Sequence, residues 1–179
     1  MRPTDQDRHG GNIYNRQIRY DFSSNINPLG IPAFALKKLQ DEAVRCERYP
    51  DPEYRELKTS IARMEQVPQE WVICGNGASE LIYALPRALA MRKERPVRAL
   101  IPQPSFSEYE RAVQAAGGHA AAFLLKKENG FRITEDILDE LTPDTDLLCL
   151  CNPANPIGNR LDEALLAKIL RQCREAQIV

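Results

Sequence analysis

From about residue 71 to the end of the chain, short apolar runs alternate with longer segments of helical periodicity, and this alternation limits the possible folds most. The apolar runs are nearly continuous, as is typical of strands buried on both faces of a parallel sheet. Parallel neighbours need a crossover between them, usually a helix. The pattern therefore predicts an α/β layered domain around a mainly parallel sheet. The predicted strands are 71–74, 97–101, 120–125 and 147–151, and the predicted helices are 80–92, 105–116, 134–141 with a threonine cap, and 161–176.

The residues before this region are organised differently. Residues 1–32 are rich in the turn-forming types Gly, Asn and Pro, so we expect an irregular N-terminal arm. Residues 33–47 carry apolar side chains at helical spacing, and the prolines of Tyr49-Pro50-Asp51-Pro52 end that helix before a second one over 53–65. We therefore expect an arm (1–32), a helical segment (33–66) and the layered domain (67–179).

The last two residues, Ile178 and Val179, have the apolar character of another strand that begins here. A sheet strand of two residues would leave its neighbours partly unpaired. We therefore expect the layered domain to be incomplete and the chain to be the N-terminal part of a longer protein.

Composition argues against several classes of partner. A formal net charge of −1 gives no electrostatic reason to expect binding to nucleic acid or to an anionic membrane. No apolar stretch approaches the roughly 20 residues that span a bilayer. The polar N-terminus, MRPTDQDRHGG, lacks the apolar segment of a secretory signal. These features favour a cytoplasmic protein.

The five cysteines show no disulfide-framework spacing, and reduced thiols are the simplest interpretation. A metal site built on Cys149 and Cys151 is a weak alternative, because one intervening residue is not the spacing of a zinc knuckle. We expect no metal.

Three loops follow predicted strands at the carboxyl edge of the sheet, where α/β proteins bind ligands. The first, GNGASE (75–80), combines glycines with a helix start, which suits a phosphate; a plain turn capped by Ser79 is the alternative. The second, PQPSFSEY (102–109), places Phe106 where its ring either stacks on a flat ligand or belongs to the core. The third, CNPANPIG (151–158), offers the side-chain amides of Asn152 and Asn155. Together they suit a flat aromatic cofactor with a phosphate, namely pyridoxal 5′-phosphate (PLP).

The order GNGASE, PSFSEY, NPANPIG resembles the large domain of fold-type I PLP enzymes, the aminotransferase class I/II group. RYPDP (48–52) is similar to the histidinol-phosphate aminotransferase branch, and HGGN (9–12) with DFSSNINPLG (21–30) is similar to the threonine-phosphate decarboxylase branch of cobalamin biosynthesis. The resemblance implies a three-layer α/β/α large domain over 67–179, a segment over 33–66 that contributes to the small domain or the dimer contact, and a homodimer.

The resemblance also implies roles for individual residues. Gly77, Ala78 and Ser79 would hold the cofactor phosphate, Phe106 would stack on the pyridine ring, and Asn155 would donate to its phenolic oxygen. Tyr49 would reach the cofactor phosphate of the partner subunit. His9, Gly10 and Asn25 would contact the substrate and its phosphate.

The catalytic groups of such enzymes are expected beyond Val179. These are the aspartate that faces the pyridinium nitrogen, the Schiff-base lysine and the arginine for the substrate carboxylate. None of the seven lysines has the setting of a cofactor lysine, so we expect this chain to be inactive by itself. The implied reaction is decarboxylation of a phosphorylated amino acid; transamination, a non-catalytic truncated product and a nucleotide-binding module are the alternatives.

Overall fold

A parallel sheet of three strands organises the C-terminal part of the chain. The computed structural model describes residues 17–22 and 24–179, and these divide into two units between Tyr54 and Arg55. The second unit contains the sheet, in the strand order β2-β1-β3. The strands are β1 (Arg98–Gln103), β2 (His119–Leu124) and β3 (Leu147–Leu148), with Leu100 opposite Ala121 in one pair and opposite Leu148 in the other.

Helices cover both faces of this sheet. They are α3 (Gly77–Lys93) and α4 (Glu108–Ala115) on one face and α5 (Ile137–Glu140) and α6 (Glu163–Glu175) on the other; a further helix, α2 (Arg55–Glu65), belongs to the same unit. Side chains of a strand alternate between faces. Ala99 and Ile101 of β1 accordingly pack with residues of α3 and α4, whereas Leu100 packs with residues of α5 and α6. The predicted α/β class with a three-layer arrangement is confirmed.

Most predicted helices are present but begin later than expected, and α3 begins earlier. Helix α4 begins at Glu108 instead of residue 105, because residues 104–107 form a short irregular loop. Helix α6 begins at Glu163, where the side chain of Asp162 accepts a hydrogen bond from the N–H of Leu165 (2.9 Å). The expected Thr134 cap is wrong, because the Thr134 hydroxyl bonds to the Asp136 side chain and not to a helix N–H.

One predicted strand is absent and another is shorter than expected. Residues 72–75 form neither helix nor strand, although the Val72 backbone is extended, and Gln69–Trp71 form a 3₁₀ turn. Strand β3 covers only Leu147–Leu148 of the predicted 147–151. Apolar character gives a segment a reason to be buried, but a strand also requires a neighbour to accept its backbone hydrogen bonds.

Val179 lies beside β3. Its N–H donates to the carbonyl of Asp146 (3.0 Å), and its carbonyl accepts from the N–H of Leu148 (2.8 Å). These two bonds hold Val179 alongside the start of β3.

The first unit has no core of its own among residues 17–22 and 24–54. It contains α1 (Ala33–Glu42) and a 3₁₀ turn (Ala43–Glu47), which occupy the predicted 33–47 helix. Residues 17–32, except the undescribed residue 23, form neither helix nor strand. Large apolar side chains such as Phe34 and Leu39 are exposed. The three-part domain division remains a prediction.

A buried carboxylate ties the amino edge of the sheet together. Asp146, which precedes β3, is fully buried. It accepts from both guanidinium nitrogens of Arg95 (2.8 and 2.9 Å) and from the N–H of Arg98 (2.9 Å), and it pairs with Lys93 (2.6 Å). We call these four residues the Asp146 cluster. It fixes the connection between α3 and β1 against the start of β3.

No helix in the described residues is both long enough and apolar enough to cross a lipid bilayer.

Candidate cofactor site

The first turn of α3 lies at the carboxyl edge of the sheet. Leu89, late in α3, packs with Val97 and Ala99 near the start of β1. Tyr83, early in α3, donates a hydrogen bond to Glu108, which follows the end of β1 (2.7 Å). Helix α3 therefore runs antiparallel to β1. Its N-terminus, with the positive end of the helix dipole, faces the edge at which β1 ends.

The geometry of this turn fits a phosphate. Gly77 has φ +79°, a left-handed conformation that favours glycine, and a Cβ at Gly77 would meet no atom within 4 Å. Residues 77–79 are exposed, and the first N–H groups of a helix have no partner within the helix. The Ser79-cap alternative is wrong, because Ser79 is the third residue of α3 and Asn76 occupies the cap position.

The side chain of Glu80 bonds back to the residue that precedes this turn. The backbone N–H of Asn76 donates to the carboxylate of Glu80. A Cβ at Gly75 would lie 2.8 Å from Oε2 of Glu80, so Gly75 leaves the space that this carboxylate occupies. The two glycines therefore have different roles. The absence of a side chain at Gly75 makes room for the Glu80 carboxylate, and the absence of one at Gly77 leaves open space next to the turn.

The loop after β1 presents the predicted stacking ring. Phe106 is half-buried, and its ring contacts that of Tyr109 edge to face (5.7 Å between centroids, 82° between planes). The N–H of Ser105 donates to the side-chain oxygen of Gln103 (3.1 Å). The hydroxyl oxygen of Ser105 is buried and has no hydrogen-bond partner among the described residues. A buried polar atom left without a partner beside Phe106 is consistent with a place for a ligand.

Tyr109 connects the loops after β1 and β3. Burial of the Tyr109 side chain and, as the second cause, its hydrogen bond with Cys151 raise the pKa of Tyr109 to about 12. Burial raises the pKa of the Cys149 thiol to about 11. Both groups are therefore neutral at pH 7.

The described residues contain no group of three or more His, Cys, Asp or Glu side chains arranged to hold a metal ion.

The loop after β3 is held by its own polar groups. Asn152 accepts from the N–H of Leu161 through its side-chain oxygen (3.0 Å), so its amide serves the loop. Asn159 donates to the carbonyl of Gly130 (2.7 Å), and the N–H of Ala154 donates to the carbonyl of Asn159 (2.8 Å). Asn155 is exposed, and its side chain makes no hydrogen bond within the described part of the chain.

The structure thus brings five predicted residues to one edge of one sheet: Gly77, Ala78, Ser79, Phe106 and Asn155. These residues fit a planar ligand with a phosphate. Asn25 and Tyr49 belong to the other unit, where both are exposed. His9 and Gly10 lie outside the described residues.

Two polar residues near this edge had no predicted role. Tyr83 and Glu108 are joined by a hydrogen bond, but 25 positions separate them along the chain. The alternation of apolar and polar residues places Glu108 at a helix start and gives no indication of its partner.

Several curated proteins are similar to this chain over most of its length. A threonine-phosphate decarboxylase of Salmonella typhimurium is 39% identical over 95% of this chain and 48% of its own length. A protein of Caldanaerobacter subterraneus whose name also refers to threonine-phosphate decarboxylase is 42% identical over 92% of this chain and 43% of its own length. A histidinol-phosphate aminotransferase of Bacillus pumilus is 32% identical over 84% of this chain and 40% of its own length. The chain spans less than half the length of each.

A solved structure has the same fold. The histidinol-phosphate aminotransferase of Clostridium acetobutylicum superposes with a TM-score of 0.74 at 28% identity, over 87% of this chain and 44% of that one. The family model described as "Aminotransferase class I and II" matches residues 18–179, which include every described element and all five residues gathered at the sheet edge. Members of this family are PLP-dependent enzymes. On this evidence, the chain belongs to the aminotransferase class I and II family.

Proposed function

We propose that this chain is the N-terminal part of a PLP-dependent threonine-phosphate decarboxylase of cobalamin biosynthesis. The observation that carries the proposal is the difference in identity between relatives. The two relatives whose names refer to threonine-phosphate decarboxylase are 39% and 42% identical to this chain, whereas the histidinol-phosphate aminotransferase of Bacillus pumilus is 32% identical.

The residues at the sheet edge take defined parts in this proposal. The N–H groups of Ala78 and Ser79 bind the cofactor phosphate, and the exposed backbone at Gly77 lets it approach closely. Phe106 stacks on the ring, and Asn155 donates to its phenolic oxygen. The bound cofactor supplies an electron sink for the bond that breaks at the α-carbon of the substrate.

The remaining assignments concern the substrate and the assembly. His9, Gly10 and Asn25 bind the phosphorylated substrate. In a homodimer, Tyr49 contacts the cofactor phosphate of the partner subunit, and a fully exposed Tyr49 side chain is compatible with that role. The enzyme is cytoplasmic in this proposal, and the chain alone lacks the lysine needed for turnover.

Cofactor binding is tested with pyridoxine 5′-phosphate, which carries the ring and the phosphate but no aldehyde to react with surface lysines. We expect saturable binding by the whole chain in calorimetry. Phe106→Ala should weaken binding about ten-fold or more, since stacking on an aromatic ring contributes about 1–3 kcal/mol. The control Phe34→Ala removes an exposed ring from α1 and should leave binding unchanged. Equal effects of the two substitutions would reject the assigned site.

The competing function is transamination of histidinol phosphate, and the similarity in fold to the Clostridium acetobutylicum enzyme favours it. The chain saturated with pyridoxine 5′-phosphate is titrated with threonine phosphate and, separately, with histidinol phosphate. We expect tighter binding of threonine phosphate; tighter binding of histidinol phosphate would support the aminotransferase instead.

Inactivity of the chain alone is tested with PLP itself. Borohydride reduction should label no single lysine stoichiometrically, and threonine phosphate should not be consumed. Labelling of one lysine together with consumption of substrate would show that the chain is active without further residues.

A further inference from the structure

A hydrogen bond joins the two parts of the proposed cofactor site. The Tyr83 hydroxyl on α3 donates to Oε2 of Glu108 (2.7 Å), and Oε1 of Glu108 accepts from Arg111 (2.9 Å). Glu108 is only 9% exposed, although it is an acidic residue at the start of a helix. We call the Tyr83–Glu108 hydrogen bond the bridge.

Each end of the bridge lies next to a residue of the proposed site. Tyr83 is four residues after Ser79 in α3, and residues at this spacing share one face of a helix. Glu108 is two residues after Phe106 and adjacent to Tyr109, whose ring contacts Phe106. The bridge therefore links the phosphate-binding turn to the loop that carries the stacking ring.

The protonation states suit the bridge at neutral pH. The hydrogen bond with Glu108 is the main cause that raises the pKa of Tyr83, so the hydroxyl keeps its proton and remains the donor. Arg111 pairs with the same carboxylate (2.9 Å) and favours its charged form. A charged acceptor makes the hydrogen bond stronger than a neutral one.

A simpler role for Glu108 is to stabilise the N-terminus of α4, as acidic residues in a first turn do. Glu110 is in the same first turn, is exposed and bonds to Gln114 (2.9 Å). Helix stabilisation alone does not require burial of Glu108 or a tyrosine partner on another helix. Burial of a carboxylate is costly unless it is paired, so the contact between the helices is the specific feature.

We propose that Tyr83 and Glu108 are positioning residues that hold the first turn of α3 and the Phe106 loop in register, so that one ligand can bind both at once. This inference rests on the proposed function. It predicts that the bridge affects ligands that span both parts much more than ligands that contact one part.

The test compares two probes on the whole chain: pyridoxine 5′-phosphate, which spans both parts, and inorganic phosphate, which contacts only the turn. Tyr83→Phe should weaken binding of pyridoxine 5′-phosphate about ten-fold, the scale of one charge-assisted hydrogen bond, and binding of inorganic phosphate less than about two-fold. Glu108→Ala should act similarly. Glu108→Gln keeps an oxygen acceptor for Tyr83 and should retain most of the affinity. The control Glu110→Gln removes a first-turn charge without touching the bridge and should change neither affinity.

Each result decides the inference. Equal weakening of both probes by Tyr83→Phe, or no weakening, would overturn it while the proposed function stands. The same holds if Glu110→Gln reproduces the effect, because the helix dipole would then explain it. If the unsubstituted chain binds neither probe, the proposed site itself is wrong and the inference fails with it. A thermal melt of each variant shows whether it is folded, and Glu108→Ala provides the comparison if Tyr83→Phe is not.

Discussion

Asp146→Asn tests how much a buried charge contributes to this fold. Asp146 is fully buried and accepts hydrogen bonds from the Arg95 guanidinium and the Arg98 N–H, with Lys93 Nζ 2.6 Å away. Asparagine has nearly the same shape, so the substitution removes the charge and leaves no large cavity. Its amide nitrogen would also face donors, and at least one of them would lose its acceptor.

The magnitude follows from the competition between burial and pairing. Burial by itself would raise the pKa of Asp146, but the hydrogen bonds from Arg95, Lys93 and Arg98 outweigh it and lower the pKa from 3.8 to about 2. Each pKa unit corresponds to about 1.4 kcal/mol, so the folded state favours the charged form by about 2 kcal/mol. Removing one partner of a fully buried pair costs about 3–5 kcal/mol. Because Arg95 is half-exposed and can regain water, we expect a loss of about 2 kcal/mol.

Urea unfolding followed by far-ultraviolet circular dichroism measures this loss at pH 7. The matched control is Asp144→Asn, since Asp144 pairs with Arg98 at 3.0 Å but is 82% exposed. An exposed pair contributes about 0–1 kcal/mol, so the control should change stability little. Equal losses for the two variants would refute the reasoning.

The pH dependence gives a second check with a definite sign. The pKa of Asp146 is lower in the folded state, so its stabilising contribution is complete above about pH 4 and is lost as pH falls through about 2. The difference in stability between the unsubstituted chain and Asp146→Asn should therefore shrink between pH 4 and pH 2. A difference that stays constant over this range would show that the loss does not come from the charge.

Three further predictions concern local features. Asp162→Ala removes the side-chain acceptor for the Leu165 N–H at the start of α6 and should lower the free energy of unfolding by about 1 kcal/mol in urea titrations. Gly77→Ala forces a Cβ onto a residue with φ +79° and should cost about 1–2 kcal/mol by the same measurement, although the added methyl meets no neighbour; an unchanged midpoint would show that the turn does not require glycine. With a thiol reagent at pH 8, exposed Cys46 should react rapidly and Cys149 slowly, because burial raises the pKa of Cys149 to about 11; equal rates would contradict this environment.

Much of the candidate site could be predicted because its signals are local. Glycine at 75 and 77, an aromatic residue at 106 and paired Asn-Pro steps at 152–156 follow apolar segments, and parallel strands bring such loops to one edge. The bridge could not be predicted, because Tyr83 and Glu108 are 25 residues apart and neither has an unusual neighbour in the sequence. The Asp146 cluster extends over an even longer separation, 51 residues between Arg95 and Asp146.

The sequence alone determined the α/β class and the order of helices and strands from residue 77 onward, because apolar periodicity records which face of each segment is buried. It also determined the family resemblance, through three loop motifs in a fixed order. Only the tertiary structure decided that 72–75 has no strand partner among the described residues and that β3 pairs over two residues. The same holds for the partners of the two buried carboxylates, Glu108 and Asp146. Backbone ladders and buried ion pairs depend on residues brought together from distant parts of the chain, and a local pattern carries no record of those partners.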